Sequence, residues 1–256
     1  MHPLVVISHD NHAYVANTIS QANAFGLRAI VLDNASTYEK TREYLRSIEQ
    51  ATEVRYLPSN FGSTCWQRSF VYDDLPDRFF LTDPDLQWNP RLPSDFAEQL
   101  DGLCTKFQAR AVGFALDIHD REAMLQDADY FAGQSIWDWE SQFWRKRISH
   151  EPHEIYDAPI DTTFQLLDKR RASGVFRVAG EFTARHLPWY RDAANAPHDL
   201  LHMYAPRGAW AISTIAKLIL REMSRKNVLR KAIDECEATC DEPLKLSATE
   251  IEERAR

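Results

Sequence analysis

Short apolar runs alternate with helix-like segments through the first half of the chain, and this alternation restricts the fold more than any other feature. The runs lie at residues 4–8, 29–32, 54–57, 79–82 and 111–116. Between the first two runs, apolar side chains recur at helical spacing, and a glycine follows where a helix would end. Alternation of strands and helices favours a parallel sheet with helices on both faces. The sequence therefore predicts an α/β fold with a mostly parallel central sheet flanked by helices.

Composition and charge exclude several classes of protein. The chain has 256 residues, of which 44% are hydrophobic and 27% are charged, close to the average for globular proteins. A chain of this length can bury a core without disulfide or metal staples. The net charge of −8 argues against a nucleic-acid partner, because nucleic-acid-binding domains are usually basic. We find no signal-peptide core and no run of about 18 apolar residues, so the expected location is the cytoplasm.

Polar residues follow four of the five apolar runs. In open α/β sheets ligands bind at the carboxyl ends of the strands, so these segments are the candidate site. None of them contains a dinucleotide-binding or P-loop glycine pattern. The four segments are Ser8-His9-Asp10-Asn11, Asp33-Asn34-Ala35-Ser36, Pro58-Ser59-Asn60-Phe61-Gly62 and Asp83-Pro84-Asp85.

The segment Asp83-Pro84-Asp85 carries the strongest chemical signal. Two carboxylates one residue apart, directly after a buried strand, can face one cleft, and Pro84 restricts Asp83 to an extended conformation. Such oxygen ligands suit Mg²⁺ or Mn²⁺ carrying a diphosphate, whereas the alternative is a simple surface turn. Two other segments also have a purely structural interpretation as an alternative to ligand binding. Asp33 can form an Asx turn, and Gly62 can adopt a left-handed turn.

The order of these four segments, over about residues 3–116, resembles that of family 2 glycosyltransferases and their GT-A fold relatives. The resemblance implies that Asp33 contacts the base or ribose of a nucleotide-sugar, and that Asn60 and Gly62 line the nucleotide pocket together with Ser8. The sequence departs from the family at His9-Asp10 and Phe61, which bears on the identity of the donor.

The resemblance also implies the metal ligands. Asp83 would approach the ribose and the metal, and Asp85 would ligate the metal directly. The family often adds a late histidine, for which His186 is the candidate, since a neutral imidazole suits Mn²⁺. The alternative for His186 is an ordinary surface or core histidine.

The family's second half carries an acid that acts as the catalytic base. Glu140, in Trp137-Asp138-Trp139-Glu140, looks like that element, since a carboxylate flanked by indoles would be desolvated and its pKa raised. Asp161, which precedes a strand-like run, is the rival base. The alternative is a core aromatic cluster with solvated acids.

We predict a GT-A-like domain over residues 1–206, with a nucleotide-sugar half at 1–118 and an acceptor half at 119–206. Residues 207–256 form a predicted C-terminal helical extension. Its segment 207–232 contains seven basic side chains and a single acidic one. A basic amphipathic helix can lie on the cytoplasmic face of an anionic membrane, or it can pack on the catalytic domain.

The predicted function is transfer of a sugar from a nucleotide-sugar donor to a hydroxyl of a glycan or lipid-linked acceptor, with Mn²⁺ or Mg²⁺ and a carboxylate base. The sugar, the nucleotide base, the acceptor and the choice between inversion and retention stay open. One alternative is a non-catalytic sugar-binding or membrane-associated subunit on the same fold. Another is a nucleotidyltransferase, against which the lack of a glycine-rich basic loop after the first strand argues.

Overall fold

The computed structural model describes residues 2–125, 130–131, 133–150, 152–161, 163–191, 214–226, 228–239 and 248–254. The strands are β1 (Leu4–Ser8), β2 (Ala29–Asp33), β3 (Glu53–Tyr56), β4 (Arg78–Thr82), β5 (Leu86–Trp88), β6 (Ala111–Leu116), β7 (Arg147–Ser149), β8 (Ile155–Asp157), β9 (Gln165–Asp168) and β10 (Val175–His186). The helices are α1 (His12–Ala24), α2 (Glu39–Ile48), α3 (Ser69–Tyr72), α4 (Phe96–Lys106), α5 (Ile136–Ser141), α6 (Thr214–Arg225), α7 (Leu229–Thr239) and α8 (Ala248–Arg254).

The strands form one mixed sheet in the order β3-β2-β1-β4-β9-β6-β10-β8-β7, with β5 paired to β10 outside this path. The pairs β1–β2, β2–β3, β1–β4 and β6–β10 are parallel. The pairs β4–β9, β6–β9, β8–β10, β7–β8 and β5–β10 are antiparallel. The α/β class is confirmed, but the prediction of a mostly parallel sheet is wrong. Parallel neighbours need crossover connections, and the second half of the sheet instead contains short strands that pair antiparallel.

The central strands are apolar throughout because both faces of the sheet are covered. In β1, Leu4 and Val6 belong to one buried cluster and Val5 and Ile7 to another on the opposite face. The first cluster includes α1 and α4, and the second includes residues of the segment 61–75. This two-sided burial explains why the strands read as continuous apolar runs rather than alternating ones.

Two parts of the chain are helical in short pieces. The segment between β3 and β4 is a 3₁₀ turn over Gly62–Gln67 followed by the single turn of α3. The predicted C-terminal extension contains separate helices in the described residues, α6, α7 and α8.

The basic amphipathic helix predicted in this extension would have an apolar stripe at Ile212, Ile215, Ile219 and Met223. The described part of this stripe packs inside the protein. Ile219 and Met223 are buried in the same cluster as the side chains of α1 and α4. Ile212 and the side chain of Ile215 lie outside the described residues. Within the described ranges, no helix is both long and apolar enough to cross a membrane. Contact with a membrane surface stays a prediction.

Candidate active site

Strands β2 and β3 extend the sheet on one side of β1, and β4 lies on the other side of β1. The order in which the chain adds strands therefore changes direction between β1 and β4. In open α/β sheets such a reversal leaves a crevice at the carboxyl ends of the two strands, where ligands bind. Ser8 ends β1 and Asp83 follows β4, so both lie at this crevice. The Ser8 side chain is fully buried, and its hydroxyl donates a hydrogen bond to Asn11 Oδ1 at 3.2 Å.

Asp10, beyond the end of β1, has a structural role that the sequence pattern does not indicate. Its carboxylate accepts hydrogen bonds from the backbone N–H groups of Thr37 and Tyr38, both at 2.7 Å. These groups lie just ahead of α2, so Asp10 satisfies the unpaired donors at that helix start from a different loop. The residue at the N-cap of α2, Tyr38, makes no side-chain capping hydrogen bond, and the hydroxyl of the nearby Ser36 donates to Asp33.

Asp33 lies at the end of β2, and its carboxylate is already engaged by the protein. The side chain is 3% exposed and accepts hydrogen bonds from the backbone N–H and the hydroxyl of Ser36. Burial raises the pKa of Asp33, and the two hydrogen bonds oppose that rise. This arrangement is the Asx-type turn that the sequence left open beside a nucleotide contact.

Asn60 and Gly62 are placed beside Asp33 by a residue that was not among the predicted site residues. The Asn34 side chain donates hydrogen bonds to Asn60 Oδ1 at 2.8 Å and to the Gly62 carbonyl at 3.0 Å, and it accepts one from the backbone of Phe61. Asn60 and Gly62 are exposed, and Gly62 has φ of +72°, which favours glycine. The ends of β2 and β3 thus form one connected rim.

The Asp83-Pro84-Asp85 turn is held from two sides. The Thr18 hydroxyl of α1 donates to the Pro84 carbonyl at 2.7 Å, and the backbone N–H of Leu187 donates to the Asp85 carbonyl at 2.8 Å. The register of β5 on β10 pairs Leu86 with His186. Strand pairing therefore sets Asp85 beside His186, although the two residues are far apart in the sequence.

Asp85 is 5% exposed, and its Oδ2 atom lies 3.4 Å from His186 Nε2. The other ring nitrogen of His186, Nδ1, is buried and has no hydrogen-bond partner among the described residues. Its ring lies against Trp189, with centroids 4.7 Å apart. Asp83 and His186 line one cleft, so the three predicted metal ligands lie in the same region.

This cleft, which we call the acidic cleft, has a volume of about 360 Å³. It combines carboxylates, one histidine and one paired arginine with a wall of aromatic side chains. Its polar lining residues are Asp83, Glu140, Asp161, Thr163, Arg177 and His186, and its aromatic ones are Tyr130, Trp139, Phe143 and Trp189. Ser8, Asp33, Asn60 and Gly62 do not line it.

Glu140 forms the buried wall of the acidic cleft and is held by Arg177. Glu140 is 1% exposed and Arg177 3% exposed, and Arg177 Nη1 donates to Glu140 Oε1. Arg177 Nε donates to the Pro159 carbonyl at 2.7 Å, and its guanidinium lies 4.4 Å from the Phe143 ring centroid. Burial raises the pKa of Glu140 to about 7, although the charges of Arg177 and His186 lower it.

Arg177 is not among the residues predicted from the sequence, although a signal for it is present. An arginine inside the apolar run of β10 is unusual, because arginine is rarely fully buried unless it is paired. Such a residue indicates a buried acid nearby, and here that acid is Glu140.

Asp161 occupies a different environment in the same cleft. It is exposed at the cleft mouth, and its backbone carbonyl accepts a hydrogen bond from Gln165 Nε2 at 2.6 Å. The two candidate bases therefore differ in burial: Glu140 is desolvated and paired, whereas Asp161 faces solvent.

The donor chemistry of Asp83, Asp85 and His186 suits a divalent cation, because hard oxygens and an imidazole are ligands of Mg²⁺ or Mn²⁺. The described residues nevertheless contain no group of three or more His, Cys, Asp or Glu side chains arranged to hold an ion. Mg²⁺ commonly uses one or two carboxylates and takes its remaining ligands from substrate phosphates and water. The residues present therefore fit a cation that arrives with a diphosphate better than one held in a cage of protein ligands.

No protein-family model matches the sequence, and no curated protein matches it. Among solved structures, the mannosyltransferase PcManGT from Pyrobaculum calidifontis, in complex with GDP-Man and Mn²⁺, is 14% identical over 93% of this chain and 74% of its own, with a TM-score of 0.46. HddC from Yersinia pseudotuberculosis, complexed with GMP-PN, is 9% identical over 66% of this chain and 78% of its own, with a TM-score of 0.38. The 4-diphosphocytidyl-2C-methyl-D-erythritol synthase from Anaerococcus prevotii is 12% identical over 66% and 72%, with a TM-score of 0.31. Likenesses this distant assign no activity to the chain.

Proposed function

We propose that this protein transfers a sugar from a nucleotide-sugar donor to a hydroxyl group of a glycan or lipid-linked acceptor, with Mn²⁺ or Mg²⁺. One observation carries the proposal. The acidic cleft joins the Asp83-Pro84-Asp85 turn and His186 to a second, desolvated carboxylate, Glu140, among aromatic side chains. A leaving diphosphate needs a cation and an attacking hydroxyl needs a base, and the cleft has residues suited to both tasks.

The donor would lie along the crevice between β1 and β4, with its nucleotide toward the rim formed by Asp33, Asn60 and Gly62. Asp83, Asp85 and His186 would then hold the divalent ion against the diphosphate. When bound, that ion would offset the negative charge that develops on the leaving diphosphate.

Glu140 would act as the base toward the acceptor. Its carboxylate accepts the proton of the acceptor hydroxyl while the new bond forms from that oxygen to the anomeric carbon. The bond from the anomeric carbon to the diphosphate oxygen breaks, and the nucleoside diphosphate leaves. Arg177 is a positioning residue, because it orients the Glu140 carboxylate from one side. With a pKa near 7, Glu140 would be partly ionised at neutral pH, as a general base requires.

The aromatic side chains give the acidic cleft flat apolar surfaces. Trp139, Phe143 and Trp189 present rings against which the apolar face of a sugar can pack. Asp161 at the mouth would orient the acceptor by hydrogen bonding to its hydroxyl groups, and it is the rival base.

A binding and turnover series tests the proposal. Thermal unfolding is recorded with UDP-, GDP- and dTDP-sugars, each with and without MnCl₂. A donor present at a hundredfold excess over its Kd should stabilise the folded protein by about 2.7 kcal/mol. Release of nucleoside diphosphate is then measured with a panel of sugar acceptors, and Asp85→Asn serves as the matched control.

Each outcome has a distinct meaning. Metal-dependent donor binding with acceptor-dependent release of nucleoside diphosphate supports the proposal. Binding without turnover favours a non-catalytic sugar-binding subunit. Formation of pyrophosphate from a nucleoside triphosphate and a sugar phosphate favours a nucleotidyltransferase. Absence of binding by every donor refutes the proposal.

A further inference from the structure

We propose that a second cleft, formed by β5 and β10, binds an anionic group, either a phosphate or a carboxylate. This cleft, which we call the arginine cleft, has a volume of about 440 Å³. Its lining residues include Gln87, Asn89, Arg91, Asp117, Thr183 and Arg185. It shares no lining residue with the acidic cleft, so the proposal does not depend on sugar transfer.

Strand pairing builds the polar floor of the arginine cleft. In the antiparallel pair of β5 and β10, Arg185 lies opposite Gln87. The backbone N–H of Asn89 donates to the Thr183 carbonyl at 2.9 Å, which continues the pairing beyond β5. Because side chains alternate along a strand, Gln87 and Asn89 share one face with Thr183 and Arg185. His186, the next residue on β10, lines the acidic cleft instead.

The side chains of the floor are fixed by their own hydrogen bonds. Asn89 Nδ2 donates to Thr183 Oγ1 at 2.8 Å, and Asn89 Oδ1 accepts from the backbone N–H of Arg91 at 2.9 Å. The second bond holds the backbone of Arg91 against the end of β5. Gln87 Nε2 donates to Gln21 Oε1 of α1 at 3.0 Å. The cleft therefore has a preformed shape.

Two arginines line the arginine cleft, and neither has a carboxylate partner within the described residues. The guanidinium of Arg185 lies 3.9 Å from the centroid of the Tyr190 ring, and its buried Nε has no hydrogen-bond partner in the described part of the chain. Among the same residues, no carboxylate forms an ion pair with Arg185 or with Arg91. A guanidinium without a carboxylate partner is suited to the oxygens of a phosphate or a carboxylate.

One acid, Asp117, also lines the arginine cleft. Its Oδ1 accepts hydrogen bonds from the backbone N–H of His119, at 2.9 Å, and from the His119 ring, at 2.6 Å. Two arginines against one carboxylate leave the cleft positive. The acidic cleft has the opposite charge, because the only arginine among its lining residues, Arg177, is paired with Glu140. The acidic cleft would therefore accept an anion only together with a divalent cation, whereas the arginine cleft would need none.

Titration calorimetry with inorganic phosphate, and separately with D-glucuronate, tests the proposal on the full chain. The buffer is free of divalent metal and of other multivalent anions, and the ionic strength is held constant. The variants are Arg185→Gln and Arg91→Gln. The matched control is Arg68→Gln, which removes another arginine that lies over an aromatic ring, 4.5 Å from the centroid of Phe61.

We expect the wild type to bind at least one of the two anions. Losing one charged hydrogen-bonding partner should weaken that binding by about tenfold in Arg185→Gln and Arg91→Gln, and Arg68→Gln should bind like the wild type. Phosphate binding alone identifies a phosphate-bearing ligand, and glucuronate binding alone identifies a carboxylate.

Two results would overturn the proposal: no binding of either anion by the wild type, or equal binding by the wild type and Arg91→Gln. Arg91 is exposed, so its substitution leaves the fold intact even if Arg185→Gln does not fold. Loss of sugar transfer with intact anion binding would reject the proposed function and leave this cleft assignment standing.

Discussion

Replacing Glu140 by glutamine should strongly slow catalysis while donor binding continues. Glutamine keeps the shape of the side chain and can accept the hydrogen bond from Arg177, but it cannot take a proton from the acceptor. We expect kcat to fall by about 10²–10⁴, the usual contribution of a general base. The assay is nucleoside diphosphate release at saturating donor, and donor affinity is measured separately by thermal unfolding.

The pH dependence of kcat and of stability tests the same role of Glu140. Because burial raises the pKa of Glu140 to about 7, wild-type kcat should increase with pH up to about 7 and then level off. The folded protein also binds this proton more tightly than the unfolded chain, in which the pKa is near the ordinary value of 4.5. Protonation of Glu140 therefore stabilises the folded protein by about 3 kcal/mol below about pH 4.5. This stabilisation is lost as the pH rises through 7. Relative to Glu140→Gln, the wild type should therefore lose stability over that interval in urea unfolding.

Asp161→Asn is the control, because this carboxylate lies exposed in the same cleft. We expect its kcat to stay within about tenfold of the wild type, below the range for loss of a base. Since Glu140→Gln leaves Arg177 without a countercharge, the double variant Glu140→Gln/Arg177→Gln removes both charges and should be equally inactive. An inactive Asp161→Asn with an active Glu140→Gln would reverse the assignment, and full activity in both would refute a carboxylate base.

Asp85→Ala should abolish Mn²⁺-dependent binding of a nucleotide-sugar in a thermal unfolding assay, and unchanged binding would show that the Asp-Pro-Asp segment is a structural turn. His186→Ala should weaken Mn²⁺ binding by at least about tenfold by calorimetry, because one ligand is lost; wild-type affinity would remove His186 from the metal site. Gly113→Ala should lower the free energy of unfolding in urea by several kcal/mol, since a Cβ there would lie 2.2 Å from the Phe164 carbonyl oxygen. Gly102→Ala, in α4 with open space around it, should instead stabilise by about 0.5–1 kcal/mol, and equal effects at the two glycines would contradict the packing argument.

The first half of the fold could be predicted from the sequence because most of its strands are buried on both faces and leave continuous apolar runs. The strands β1, β2, β4 and β6 lie where these runs predict them, and so does β3, an edge strand that is only partly buried. The short strands β5, β7 and β8 leave no such run, because each has three residues and lies near an edge of the sheet. The mixed topology follows from long-range pairing, which local patterns do not contain.

In the candidate site, too, local features could be predicted from the sequence and contacts between distant segments could not. The turn at Asp83 and Asp85 could be found from the sequence, because a polar segment after a buried strand is a local signal. That Asp85 contacts His186 depends on the register of β5 on β10, which pairs two segments that lie far apart in the sequence. In the sequence, Asp10 stands out only as a departure from a family motif, whereas its hydrogen bonds show that it stabilises the start of α2.

The interleaved strand order has a consequence for how the protein folds. Strand β9 lies between β4 and β6, so two strands of the first half have no direct pairing with each other. A fragment covering residues 1–118 would expose unpaired edges on both strands, and contacts of such large sequence separation slow folding. The two halves should therefore melt as one cooperative unit. During synthesis on the ribosome, the acidic cleft cannot be completed until β10 has emerged, so a nascent chain acquires its candidate active site late.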